Sequence, residues 1–207
     1  GITIQPSTGI ISATKFSGIF LSDVRYNTIS GTAAGEDLDT DSSYNTLFGY
    51  HAGKNITEGT NNVAIGAFAL DANTDKSGSI AIGKNALGQS NNSTNIGIGY
   101  EVASAATGIG NYNIMMGRQA GDVCAGDNNL LLGTYAGRSV SGGDDNTVVG
   151  HSAGYGTNSL TSGSNNTLIG HDAAVSAATV SNEITLGDLN VNHLRLPGIG
   201  VSFKTGG

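Results

Sequence analysis

Chemistry in this chain would have to come from four histidines, sixteen carboxylates and seven tyrosines, and their spacing decides what kind. Asp37, Asp39 and Asp41 alternate like the opening of a calcium-binding loop. An EF-hand loop wants glycine at its sixth place and glutamate at its twelfth, where this chain has Ser42 and Phe48. A solvated acidic loop is the expectation, with no metal assigned and these three aspartates kept as the calcium candidate. His151 and His171 each follow the glycine of a repeated motif, so they should stack about one strand spacing apart. Tyr50, Lys84, Tyr100, Arg118 and Thr134 hold the same position in other repeats, which favours a surface column over a metal site or a pH switch. His51 and His193 complete the histidines.

Acid/base catalysis on a solenoid needs paired carboxylates. Those inside the repeats, among them Glu58, Asp71, Asp122 and Asp144, are scattered through variable loops, and no G-x-S-x-G elbow is present. No enzyme is expected, and no cofactor. Glycan contacts are a second candidate, since such sites combine exposed rings with amides and carboxylates. Tyr50, Tyr100, Tyr135 and Tyr155, with Phe68, lie after a strand or in outer loops among asparagines. The sequence favours packing or solubility for each of these rings over a glycan contact.

What positions these groups is a repeat. Asn62-Val-Ala-Ile-Gly66 returns as Asn45-Thr-Leu-Phe-Gly49, Asn95-Ile-Gly-Ile-Gly99, Asn113-Ile-Met-Met-Gly117, Asn129-Leu-Leu-Leu-Gly133, Asn146-Thr-Val-Val-Gly150 and Asn166-Thr-Leu-Ile-Gly170. Weaker copies end at Gly83 and Gly187. The nine glycines step by 17, 17, 16, 18, 16, 17, 20 and 17 residues, and a fixed period of this length signals a solenoid. Each three-residue apolar core reads as a short strand. Its middle residue points to one face and its neighbours to the other. Both faces are apolar, so both are expected to be buried, one inside the coil and one against sister chains. A coil of about 17 residues is expected to hold two short strands and their turns.

The flanking positions have physical reasons. The asparagine suits a turn and, stacked coil on coil, an amide ladder. The closing glycine permits positive φ or a close backbone approach. Three residues on comes a small inward residue, from Ala52 and Ala69 to Ala153 and Ala173, and Gly53, Gly121, Gly137 and Gly154 then make a second corner.

Composition narrows the partners. Charged residues are only 12%, about half the usual ~25%, so hydroxyls and amides must solvate the surface. A net charge of −7 with no Lys/Arg run argues against nucleic acid. No apolar run is long enough for a membrane-spanning helix. The 33 glycines follow no collagen period. Cys124 cannot form an internal disulfide and is expected to be a small buried residue. The chain opens on Gly1, which suggests a piece of a longer polypeptide.

Asn62-Val-Ala-Ile-Gly66 resembles the head repeat of trimeric autotransporter adhesins, whose N-x-V-A-I-G units build a parallel β-roll trimer. Asn146-Thr-Val-Val-Gly-His-Ser-Ala-Gly154 is similar to repeats in tail fibres of marine cyanophages. Gly1–Gly18 resembles the linker strands of those fibres, and Asn182–Gly187 with His193–Gly200 resembles the segment that ends such a repeat block. The resemblance implies a fibre component, virion-borne or extracellular, and no self-cleaving chaperone domain of the kind that often ends such fibres fits after Gly187.

The expectation is an all-β protein: a parallel β-solenoid of about nine coils, packed or intertwined as a homotrimer. Residues 1–43 would form a strand-rich linker and acidic loop, 44–189 the solenoid, and 190–207 a tail. Its partners would be itself and, in an adhesin reading, a host surface polysaccharide. A head-to-tail filament subunit is the third reading. An ice-binding face fits poorly, because Val63, Ile80, Ile96, Ile114 and Leu130 interrupt the row of Thr46, Thr147 and Thr167.

Overall fold

The structure, a computed structural model, describes residues 2–5, 10–13, 21–22, 26–89, 92–105, 108–156 and 158–193. Ten three-residue strands stack in strict chain order into one parallel sheet: β4 (Thr28–Ser30), β5 (Thr46–Phe48), β6 (Val63–Ile65), β7 (Ile80–Ile82), β8 (Ile96–Ile98), β9 (Ile114–Met116), β10 (Leu130–Leu132), β11 (Thr147–Val149), β12 (Thr167–Ile169) and β13 (Ile184–Leu186). Each returns to the sheet one coil later, which makes a β-solenoid of about nine turns. Before it, β1 (Ile2–Gln5) and β2 (Ile10–Ala13) pair antiparallel, within the stretch expected to be strand-rich. β3 (Leu21–Ser22) lies antiparallel on β4 and occupies that edge of the sheet. Among the described residues no helix is long and apolar enough to cross a membrane. Most of the expected tail, including Val201 and Phe203, lies outside the described residues.

The stack begins one coil earlier than residue 44. β4 pairs in parallel with β5, and Asn27-Thr-Ile-Ser-Gly31-Thr-Ala-Ala-Gly35 carries the motif at every position but Ser30. Residues 31–43, expected to be an acidic loop, are the outer limb of that first coil: Ala34 is buried, and the Gly35 and Asp37 amides bond the carbonyls of Ala52 and Lys54. Ser30 in place of an aliphatic residue hides the repeat from a search keyed to apolar runs.

The middle residue of each repeat strand from Leu47 to Leu168 is fully buried, Gly97 included. Its two neighbours face outward and are half-buried or exposed, Phe48 at 47%. Within one chain the inner face is buried as expected, and the outer face, expected to be covered by sister chains, is open. The expected second strand of each coil is absent among the described residues. Left-handed residues recur on the return limb, at His51 and Gly53 in one coil and at Tyr135 and Gly137 in another. These corners break extended structure, yet their amides still bond the next coil, as Gly53 does to Ala69 and Gly137 to Ala153.

The strand glycine is a steric requirement. At Gly133, φ is +132°, and a Cβ would lie 2.4 Å from the carbonyl oxygen of Gly150 in the next coil. That is well inside any tolerated contact, so only glycine lets the coils close to strand spacing. The inward alanines behave as expected, and Ala52, Ala69, Ala86, Ala120, Ala136, Ala153 and Ala173 are all fully buried.

In five coils, large and small side chains exchange between two positions of the same coil, while the coil of Gly97 and Ala103 is small at both and is filled by Leu87 from the coil before. Where the strand centre is large, the corner six residues later is glycine: Leu47 with Gly53, Met115 with Gly121, Leu131 with Gly137. A Cβ on Gly53 would sit 2.7 Å from Leu47, and one on Gly137 2.6 Å from Leu131. Where the centre is Ala64 or Ala81, the corner is Leu70 or Leu87, fully buried. Interiors are close-packed, so in these five coils one large side chain is what fits at the two positions taken together.

Candidate functional site

Parallel, in-register pairing repeats every motif position from coil to coil, so side chains at equivalent positions form columns along the stack. One fully buried column is polar. Asn62, Asn95, Asn113, Asn129, Asn146 and Asn166 are buried, and the Oδ1 of each accepts the backbone N–H of the residue that opens the next coil's motif, which after Asn62 is Ser79 and after Asn166 is Glu183. Each Nδ2 donates to a carbonyl three residues before that residue, as Asn113 does to Gly126 and Asn129 to Gly143. The ladder starts at Asn27, which serves Asn45, and ends at Glu183, whose carboxylate turns back to Ser176 and Thr185. The left-handed turn residue is the one before the motif asparagine, as at Asn61, Asn128 and Asn165. Two adjacent polar residues thus divide the work of turn and ladder.

The four candidate tyrosines fall into two groups. Tyr100, Tyr135 and Tyr155 are joined by basic groups. Lys84 Nζ and the Arg118 guanidinium lie 5.9 Å from the Tyr100 ring. Arg118 also lies 5.6 Å from Tyr135, and Arg138 lies 5.5 and 5.3 Å from Tyr135 and Tyr155. Arg138 donates to the Tyr155 hydroxyl at 3.0 Å and sits 3.6 Å from the Asp122 carboxylate. These rings are in contact with cations, which suits an ordered outer rib. Tyr50 stands apart, 4.0 Å from the His51 ring and edge-on to Phe68 at 5.2 Å.

Phe68 leads to a concavity that the sequence does not announce. A cavity of about 300 Å³ is lined by Phe68, Asp71, Asn85, Gly88, Gln89 and Ser104, drawn from three successive coils. Lys54, Asp71, Gly88, Ser104 and Asp122 are equivalent positions, each five residues after a strand glycine, so Gly88 leaves a gap between side chains above and below. Asp71 Oδ1 is buried and finds no hydrogen-bond partner among the described residues. Burial pushes the Asp71 carboxyl up, against the opposing charges of His51 and Lys54. A buried, unsatisfied acceptor is costly and calls for an explanation. Aligning the repeats by their glycines would have exposed the missing side chain; the orphaned oxygen needs the fold.

The calcium candidate is not assembled. Asp39 Oδ1 accepts the amide of Asp41 at 2.9 Å, and Glu36 pairs with Lys54 at 3.5 Å. Among the described residues the only histidine, cysteine or carboxylate group close enough to share an ion is His151, His171 and Asp172, so Asp37, Asp39 and Asp41 do not converge. Cys124 is fully buried as expected, and desolvation pushes its thiol up to about 12. Comparison with protein-family models, with curated proteins and with solved structures finds no match for this chain.

Proposed function

We propose that this chain is the shaft of an extracellular or virion fibre, a non-enzymatic homotrimer that holds a binding tip away from a surface. The observation that carries this reading is the outer face of the sheet. Phe48, Ile65, Met116, Ile169 and Leu186 are exposed at one register of the stacked strands, with the half-buried Ile82, Ile98, Leu132 and Val149 at the same register between them, and Ile114 is exposed on the same face. Contiguous exposed apolar surface marks an association site. Sister chains around an axis would cover it and thicken a core only one coil wide. The buried asparagine ladder and the basic–aromatic rib supply stiffness along the stack.

Light scattering coupled to sizing tests the reading. The expected mass is three times the 20.8 kDa of one chain, eluting early for its mass as a rod does. Ile114→Glu should then dissociate it. A clean monomer whose mass does not change in Ile114→Glu overturns the trimer, and open-ended species favour a head-to-tail filament.

A second reading, an adhesin module that engages a host glycan, is favoured by the cavity at Phe68 and Asp71. An aromatic ring, an unpaired carboxylate oxygen and the amides of Asn85 and Gln89 are groups that bind a neutral sugar. Titration of neutral monosaccharides into the wild type and Asp71→Asn tests it. Binding lost in the variant supports the cavity, and no binding to the wild type removes this reading while leaving the shaft intact.

A further inference from the structure

His151 and His171 are 20 residues apart in sequence and neighbours in space. Their rings stack with centroids 5.3 Å apart and planes within 9°. His151 Nδ1 lies 3.2 Å from Ser152 Oγ, and His171 Nδ1 lies 3.2 Å from Asp172 Oδ2. One donor atom from each of His151, His171 and Asp172 falls within 4.8 Å of the other two, and all three side chains are exposed.

We propose that His151, His171 and Asp172 form a binding site for a borderline divalent transition ion such as Zn2+ or Ni2+. The donor set selects this class. Two imidazoles and one carboxylate suit zinc, nickel and copper, whereas calcium and magnesium require a shell of oxygens. Three protein donors leave a fourth position for water. Bonds of ~2.0–2.1 Å need donors roughly 3–3.5 Å apart, so the side chains must close by about an ångström. Exposed histidine and aspartate side chains do this by turning about χ1 and χ2, because in-register coils already hold their backbones one strand spacing apart. Asp188 is the next member of the same column, and its negative charge favours a cation there.

The position also suits a structural role. The step from Gly150 to Gly170 is the longest between strand glycines, and the extra residues lie in the outer loop after Gly154. An ion held by His151 and His171 ties the two coils on either side of that insertion, where loop closure is entropically most demanding. Binding to the folded stack alone would raise its thermal midpoint.

The test is calorimetric titration of zinc chloride and, separately, nickel chloride into the full chain, stripped with EDTA and carrying no polyhistidine tag. The expected result is one ion per chain with micromolar affinity. His151→Ala and His171→Ala should each weaken it tenfold or more and Asp172→Asn by less, while His51→Ala and His193→Ala leave it unchanged. Calcium chloride should give no heat. Absence of zinc and nickel binding overturns the site, and so does binding that survives the double variant His151→Ala/His171→Ala. A readout on the wild type needs no variant: the copper-loaded chain should show electron-spin coupling to two imidazole nitrogens, and coupling to one or none overturns the proposal.

Discussion

Asn129 Oδ1 accepts the backbone N–H of Asn146 at 3.0 Å, across 17 residues of chain and one coil of the stack. The same side chain donates from Nδ2 to the Gly143 carbonyl at 2.9 Å. One buried amide therefore satisfies two backbone groups of the following coil, and its equivalents do so along the stack. A repeat built this way is cohesive along its axis without charged residues, which accounts for the low charge content.

Replacing Asn129 with alanine should leave the Asn146 amide and the Gly143 carbonyl buried and unpaired. At ~1–3 kcal/mol for each such group, the expected loss is about 3 kcal/mol, read as a shift in the denaturant midpoint. A loss below ~1 kcal/mol would show that water replaces the side chain. The complementary change is Ser79→Asn, because Ser79 accepts from the Asn95 amide at a long 3.3 Å. Completing the ladder there should stabilise the chain by about 1 kcal/mol.

Glycines should divide sharply by position. Gly133→Ala places a Cβ against the next coil at positive φ, and soluble folded protein is expected to be lost. At Gly142 a Cβ meets nothing within 4 Å and φ lies outside the left-handed region. Gly142→Ala should be neutral or stabilising by ~0.4–1 kcal/mol through the unfolded chain. Thermal melts of the two variants check both.

The core exchange predicts non-additivity. Ala64→Leu alone should overpack the coil against Leu70, costing ~1–3 kcal/mol, and Leu70→Gly alone should leave a void costing ~2–5 kcal/mol. Together they reproduce the Leu131/Gly137 arrangement of another coil. A double-mutant cycle should return a favourable coupling above ~1.5 kcal/mol, and additive effects would refute the exchange.

Cys124 predicts an alkaline limb. Its folded pKa, about 12, lies above the ordinary value near 9, so folding favours the neutral thiol. This contribution is fully present below pH 9 and is lost as pH rises from 9 toward 12, because the unfolded chain ionises first. The wild type should therefore lose stability across that window more steeply than Cys124→Ala. The native thiol should also resist alkylation at pH 8 until the chain is unfolded.

Much of this fold was legible because each coil meets the same local demands. A glycine that must approach its neighbour, an inward alanine and an alternating apolar triplet recur at a nearly fixed period, and each is a property of a few contiguous residues. The coil starting at Asn27 was missed because Ser30 replaces the aliphatic residue that made other strands visible. The second strand expected on each return limb was wrong because left-handed φ at residues such as His51 and Tyr135 is not marked by glycine.

The sequence alone determined the solenoid class, the nine strands from Thr46 to Leu186, the inward residues and the buried cysteine. Tertiary structure decided which side chains meet. Unequal steps of 16 to 20 residues are absorbed in outer loops while the strands stay in register, so spatial neighbours have no constant sequence separation. That is why the orphaned oxygen of Asp71 and the approach of Asp172 to the His151 and His171 pair emerge only when the coils are stacked.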